Sequence, residues 1–252
     1  MKTIVALDKK YSKLDKKIYN SVVGIAIYQK NLKIFSTIGS GLLFKFKNDF
    51  YLVTNKHVVD NLNTFYVAFH DADFIDESRQ IFVNLKDYST FKRFYHKTSE
   101  VDICIFKISK YVFHNKSLDL IQIENFALTV QEMESLNFYE TREVVVLGHP
   151  ISVSSGYGLH PIVRTGSISQ VSYMYSRNFK HKHFLIDAFA YPGNSGGPVI
   201  GIVEKIVDDK LVYENCIIGI VQSVVMYNNI NTGLSSVIAF EHVLEAIQQL
   251  NN

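Results

Sequence analysis

The sequence predicts an all-β protein of sandwich or barrel architecture. Three observations carry this. About a dozen short runs rich in β-branched and aromatic residues recur from Ser21 onward, separated by Gly, Asn, Asp and Ser turns. No helical periodicity alternates with them, which argues against a parallel α/β sheet. The 252 residues are 47% hydrophobic and 20% charged, enough apolar matter to bury a real core without staples.

The elements follow in order. Ile4, Leu7, Tyr11, Leu14 and Ile18 recur at helical spacing, predicting an N-terminal amphipathic helix whose lysines lie largely off the apolar stripe. The strand-length runs of the first half are Val22–Tyr28, Gly41–Phe46, Tyr51–Thr54, Phe65–Phe69, Ile81–Leu85 and Asp102–Ile108. Residues 109–143 carry fewer strand signals and read as a connection between two β halves. The second half continues with Val144–Leu147, Ile162–Val171, Phe184–Ala188, Pro198–Val203, Cys216–Val225 and Ser236–Phe240. Val243, Leu244, Ile247 and Leu250 then return to helical spacing and predict a closing helix.

Composition narrows the function. Lys+Arg 26 against Asp+Glu 24 leaves a formal charge of +2, too little to imply a nucleic-acid partner. No apolar run approaches the roughly 20 residues of a membrane helix. The start of the chain holds too short an apolar stretch for a signal peptide, so the expected location is cytoplasmic. Cys104 and Cys216 sit in apolar runs, where buried free thiols are expected.

Three stretches carry chemistry. In Tyr191-Pro192-Gly193-Asn194-Ser195-Gly196-Gly197-Pro198-Val199 a serine stands among glycines in a tight loop, followed by an apolar run. Glycines open backbone angles closed to other residues and let backbone N–H groups point at a developing oxyanion. Taken alone, the stretch reads equally well as a plain Gly-rich turn. A serine hydroxyl needs a base, and Thr54-Asn55-Lys56-His57-Val58-Val59 places a histidine just past a strand. A lone histidine there is more often structural, yet none of the eight others has comparable surroundings. In Val101-Asp102-Ile103-Cys104-Ile105-Phe106 an acid opens an apolar run. A carboxylate beside a core strand is costly unless paired, and a histidine ring would pair it.

With these stretches in the order His, Asp, Ser, the chain resembles the trypsin-like (chymotrypsin-fold) serine peptidases. It is most similar to their bacterial Deg-type and glutamyl-endopeptidase-like branches. The likeness extends to Gly148-His149-Pro150, Arg164-Thr165-Gly166-Ser167-Ile168, Ile218-Gly219-Ile220-Val221 and the closing helix, and covers roughly residues 20–250. It implies two six-stranded antiparallel β-barrels with the site between them. The division it suggests is a helix over 1–19, a first barrel over 20–125, a connection over 126–143, and a second barrel with its helix over 144–252. It also implies a triad of His57, Asp102 and Ser195, with the N–H groups of Gly193 and Ser195 as the oxyanion hole. A substrate pocket is expected along Ala188, Phe189, Ala190 and Tyr191 and along Gly219, Val221 and Ser223. Neither an acid nor a histidine stands where Arg/Lys- or Glu-specific relatives carry one. The expected preference is therefore an apolar residue before the cleaved bond, with Phe189 restricting the pocket to small side chains.

Two departures matter. Asn194 stands where digestive relatives carry an aspartate that pairs with a freed N-terminus, so assembly of the site should need no N-terminal cleavage. No peptide-binding module follows the closing helix, so regulation would fall to a separate protein partner or the N-terminal helix. The expected partner is a protein or peptide substrate, with no cofactor and no metal. His181-Lys182-His183 lacks a third ligand, and Gly156-Tyr157-Gly158 lacks the rest of a phosphate loop. Asp71, Asp73, Asp76 and Glu77 read as a solvated acidic loop, and Phe91, Phe94 and Tyr95 as packing under a loop. Besides an active endopeptidase, a catalytically silent binding or sensing module and a protease dormant until a partner activates it remain open.

Overall fold

The computed structural model describes residues 14–31, 34–69, 80–84, 86–87, 89–113, 119–150, 160–171, 182–207 and 210–251. The Asp71–Glu77 and Gly156–Gly158 motifs, His181, and most of the expected N-terminal stripe lie outside them. Helix α1 spans Lys16–Ser21 and is capped by the Asp15 carboxylate, which accepts from the Lys17 N–H. The helix expected over 1–19 therefore has a boundary within it: Asp15 is extended and turns the chain into α1, while Leu14 precedes the helix.

Two antiparallel β units follow. The first contains β1 (Val22–Gln29), β2 (Ile34–Phe46), β3 (Asp49–Thr54), β4 (Thr64–Ala68), β5 (Gln80–Asn84), β6 (Phe91–Tyr95) and β7 (Cys104–Ile108), ordered β5-β4-β1-β2-β3-β7-β6. A four-residue helix α2 (Lys56–Val59) interrupts it after β3. The second contains β8 (Glu143–Gly148), β9 (Ile162–Gln170), β10 (His183–Asp187), β11 (Pro198–Val207), β12 (Lys210–Tyr227) and β13 (Ile230–Ala239). These six strands close into a barrel in the order β10-β13-β12-β11-β8-β9. Between the units lie two 3-10 turns and helix α3 (Val130–Ser135), which starts on a Thr129–Glu132 capping box. Helix α4 (Glu241–Asn251) closes the chain.

The all-β, two-barrel architecture expected from the sequence is observed, the second unit as a closed six-stranded barrel and the first as a seven-stranded half-barrel sheet. The first unit has one strand more than the six runs suggested. That strand is β6, where the adjacent exposed Lys92 and Arg93 hide the alternation. Its aromatics pack inward: Phe91 is buried, and Phe94 and Tyr95 lean on the cores.

The packing explains why the runs look continuously apolar. Tyr51 and Val53 of β3 face a core shared by both units and α4, whereas Leu52 faces the first unit's own core. Likewise Ile103 and Ile105 enter the shared core, and Cys104 and Phe106 the other. Val145 and Leu147 join the shared core while Val144 and Val146 fill the second barrel. Strands covered on both faces lose the polar half of the alternation. Cys104 and Cys216 are buried free thiols, and burial pushes the Cys104 thiol pKa up. Among the described residues no helix is long and apolar enough to cross a membrane.

Candidate active site

His57 and Asp102 meet because β3 and β7 are paired, with Thr54 opposite Cys104. The chain leaves β3 into α2, and the chain entering β7 brings Asp102 alongside. The Asn55 side-chain amide donates to the Asp102 carbonyl at 2.9 Å and joins the two segments. The Asp102 carboxylate then holds His57 twice. One oxygen accepts the His57 backbone N–H at 3.0 Å, and the other lies 2.5 Å from ring Nδ1. Two bonds to one carboxylate fix both the ring's position and its rotation. Because the carboxylate accepts, Nδ1 carries the proton and Nε2 keeps its lone pair. That hydrogen bond, with the charges of Asp102 and Asp60, raises the His57 pKa against the opposing effect of burial.

Two successive tight turns share Asn194, and Ser195 is the second residue of the second turn. The Asn194 N–H donates to the Tyr191 carbonyl at 2.9 Å, with Pro192 second and Gly193 third at φ +98°. This is the type II pattern, which needs glycine at its third position. The Gly197 N–H donates to the Asn194 carbonyl at 2.9 Å, with Gly196 third at φ +88°. A Cβ on Gly196 would also come within 2.1 Å of the Ser40 carbonyl. Among the described residues, neither the Gly193 N–H nor the Ser195 N–H has a hydrogen-bond acceptor.

The loop is seated on the first unit. The Ser40 hydroxyl on β2 donates to the Gly193 carbonyl at 2.6 Å and accepts the His149 N–H at 2.7 Å. The Ser40 N–H donates to the Ser195 carbonyl at 2.8 Å, and Thr54 Oγ1 donates to the Ser40 carbonyl at 2.7 Å. Ser40 and Thr54 were not singled out from the sequence. The available signal was Gly39-Ser40-Gly41, since glycines inside a strand mark a close backbone approach.

His57 and Ser195 line one cleft of about 420 Å³ together with Ala190, Tyr191, Val221 and Ser223. Pro192, Gln222 and Val224 complete it. Of the expected pocket residues, Ala188, Phe189 and Gly219 do not line it. Ala188 and Ala190 are buried, whereas Phe189 is 48% exposed, stacks on Tyr191 at 6.2 Å and covers Gly233. Phe189 packs on Tyr191 and against Gly233 and does not line the cleft, so the narrowing expected from it does not arise. Gly219 faces Val237 and Phe184 inside the barrel. The Ser195 hydroxyl donates to the Gln222 carbonyl at 3.2 Å.

A second polar cluster lies where α4 meets the end of β6. One ligand atom each of His96, His242 and Glu245 falls within 4.8 Å of the others. The hydrogen-bond polarity disfavours a metal there. His242 Nε2 accepts the Lys182 backbone N–H at 3.1 Å, so Nδ1–H donates to Glu245 Oε2 at 2.7 Å. His96 Nδ1 accepts the Thr98 N–H at 3.1 Å, so Nε2–H donates to the same oxygen at 3.3 Å. The Lys182 ammonium sits 3.3 Å from Oε1. The cluster is a hydrogen-bonded clamp, and a cation would have to displace its protons beside an ammonium.

Comparison with known proteins completes the description. The trypsin-like peptidase domain family matches residues 39–205. No curated protein matches the chain in sequence. Among solved structures, the HtrA-type protease AlgW with a tripeptide is similar at 19% identity and a TM-score of 0.59, covering 93% of this chain and 61% of that one. AlgW with a decapeptide is similar at 18% identity and a TM-score of 0.59, covering 93% of this chain and 65% of that one. A serine endoprotease from Yersinia pestis is similar at 17% identity and a TM-score of 0.54, covering 93% and 64%. The chain thus spans less than two thirds of the length of these solved chains. With the match covering both the His57 segment and the Ser195 loop, the chain belongs to the trypsin-like peptidase family.

Proposed function

We propose that the chain is a serine endopeptidase working through an acyl-enzyme on Ser195. His57 Nε2 takes the Ser195 hydroxyl proton as Oγ bonds to the peptide carbonyl carbon, and the carbonyl electrons move to oxygen. Asp102 holds the imidazolium that forms, and the Gly193 and Ser195 N–H groups receive the oxyanion. The carbon–nitrogen bond then breaks as His57 returns the proton to the leaving amine. Water repeats the sequence and frees the acid. The observation that supports this most is a doubly held histidine on the cleft that contains Ser195, with two uncommitted N–H groups in the Ser195 loop. The Ala190, Val221 and Val224 walls favour an apolar residue before the cleaved bond.

The test is a peptide library digested by the wild type and by Ser195→Ala, with new termini read by mass spectrometry. Cleavage after apolar residues by the wild type alone is expected. A profile dominated by Arg, Lys or Glu overturns the preference, and equal cleavage by Ser195→Ala overturns the nucleophile.

One contact favours a second reading, a protease dormant until a partner or ligand engages it. The Ser195 hydroxyl is committed to the Gln222 carbonyl and has to turn before His57 receives its proton. Cleavage that rises sharply when cell lysate or a peptide ligand is added supports this reading. Full activity of the isolated chain removes it.

A further inference from the structure

Arg164 lies beside the cleft, with no counter-charge among the described residues. It projects from β9, where it pairs with Val146 of β8. Its guanidinium carbon lies 4.7 Å from the centre of the Tyr191 ring, and Tyr191 is a wall of the cleft holding His57 and Ser195. Arg164 Nε is buried and makes no hydrogen bond. Among the described residues no carboxylate forms an ion pair with it; the exposed Asp187 on the neighbouring strand faces elsewhere in the register, opposite Ser167. Residues 151–159 and 172–181, which flank β9 along the chain, contain no Asp or Glu.

A partly buried cation with an unmet N–H is poorly satisfied as it stands. The guanidinium carbon lies over the Tyr191 ring, and among the described residues its terminal nitrogens make no hydrogen bond, so the fork that matches a carboxylate is uncommitted. We propose that Arg164 is a specificity-determining residue that binds a substrate carboxylate at a position flanking the apolar residue before the cleaved bond. This rests on the peptidase reading of the cleft. The carboxylate is that of an Asp or Glu side chain, or the free C-terminus of the substrate. It reaches Arg164 where the peptide passes over Tyr191. Lysine would supply the charge without the fork or the stacked plane.

The experiment is a position-scanning set of peptides, each position compared as Asp against Asn, with free and amidated C-termini as separate arms. The readout is the ratio of kcat/KM for the acidic and neutral members. The wild type is expected to favour the acidic member about 10- to 100-fold at one position, the range of a charge-assisted hydrogen-bonded pair. The arm that carries the ratio identifies the source of the carboxylate. Arg164→Ala brings that ratio close to one, Arg164→Lys leaves an intermediate value, and rising salt lowers it in the wild type. A wild-type ratio near one at every position, or an unchanged ratio in Arg164→Ala, overturns the assignment. Labelling of Ser195 by a fluorophosphonate separates the two levels. A labelled wild type with a flat ratio overturns the role of Arg164 alone, whereas a wild type that neither labels nor cleaves, with or without added lysate or peptide ligand, overturns the peptidase reading and this inference with it.

Discussion

Removing the Ser40 hydroxyl should damage catalysis without touching any triad residue. Ser40 is fully buried. Its hydroxyl makes two bonds, to the Gly193 carbonyl at 2.6 Å and from the His149 N–H at 2.7 Å. Ser40→Ala strands a buried acceptor and a buried donor at once. At about 1–2 kcal/mol for each group left unpaired, the expected loss of stability is about 2–4 kcal/mol. For a chain of this size that lowers the Tm by about 5–15 °C. The kinetic effect follows from where the bond lands. The Gly193 carbonyl belongs to the peptide joining Gly193 to Asn194, so its release frees the segment that aims the Gly193 N–H. Complete loss of one oxyanion donor costs about 100- to 1,000-fold in kcat. A loosened donor should cost about 10- to 100-fold, with KM little changed because the donor acts on the oxyanion. Thermal unfolding and peptide kinetics on the same preparation decide it. A Ser40→Ala protein with wild-type Tm and wild-type kcat refutes the idea that β2 positions the loop.

Other predictions concern groups with defined partners. Asp102 raises the His57 pKa, so kcat/KM should climb with pH to a half-maximum above about 6.5, the ordinary imidazole value. Asp102→Asn should move that midpoint down and cut the rate by about 10⁴-fold; an unmoved midpoint contradicts the pairing. The same raised pKa gives a stability contribution fully present below about 6.5 and lost as pH climbs through the folded-state value. Gly196→Ala should fail to label with a fluorophosphonate, because its Cβ would meet the Ser40 carbonyl at 2.1 Å with φ at +88°. Normal labelling of that variant contradicts the turn geometry. At the clamp, the His242 hydrogen bond pulls Glu245 down to about 2 from 4.5. Its contribution is present above about pH 4.5 and lost as pH falls toward 2, so acid titration of stability should be shallower in Glu245→Gln. Identical titrations for the two proteins reject the clamp.

The candidate site was legible in the sequence where residue type and surroundings disagree. Asp102 stands out as an acid at the head of a run whose neighbours Val101 and Ile103 are buried. The turns holding Ser195 are legible because Gly193 and Gly196 occupy positive-φ positions that leave few alternatives. What stayed hidden rests on atoms every residue has, or on a partner distant in sequence. The Gln222 carbonyl that holds the Ser195 hydroxyl is backbone, so Gln222 carries no signature of it. Ser40 acts through a residue 153 positions away. The placement of Phe189 was not legible either, because residues 188–190 lie beyond the end of β10 and no strand alternation fixes their directions. Resemblance set it in the pocket instead. The start of α1 was likewise masked, because a stripe that continues through Leu14 and Ile18 conceals the cap at Asp15.

In the proposed mechanism His57, Asp102 and Ser195 act as one proton-relaying nucleophile centre. Time-resolved fluorophosphonate labelling with mass mapping of the modified residue tests it most directly, on the wild type, Ser195→Ala and His57→Ala. A single adduct on Ser195 is expected, with none on Ser195→Ala and labelling slowed by orders of magnitude on His57→Ala. An adduct elsewhere in the chain, or undiminished labelling of either variant, contradicts it.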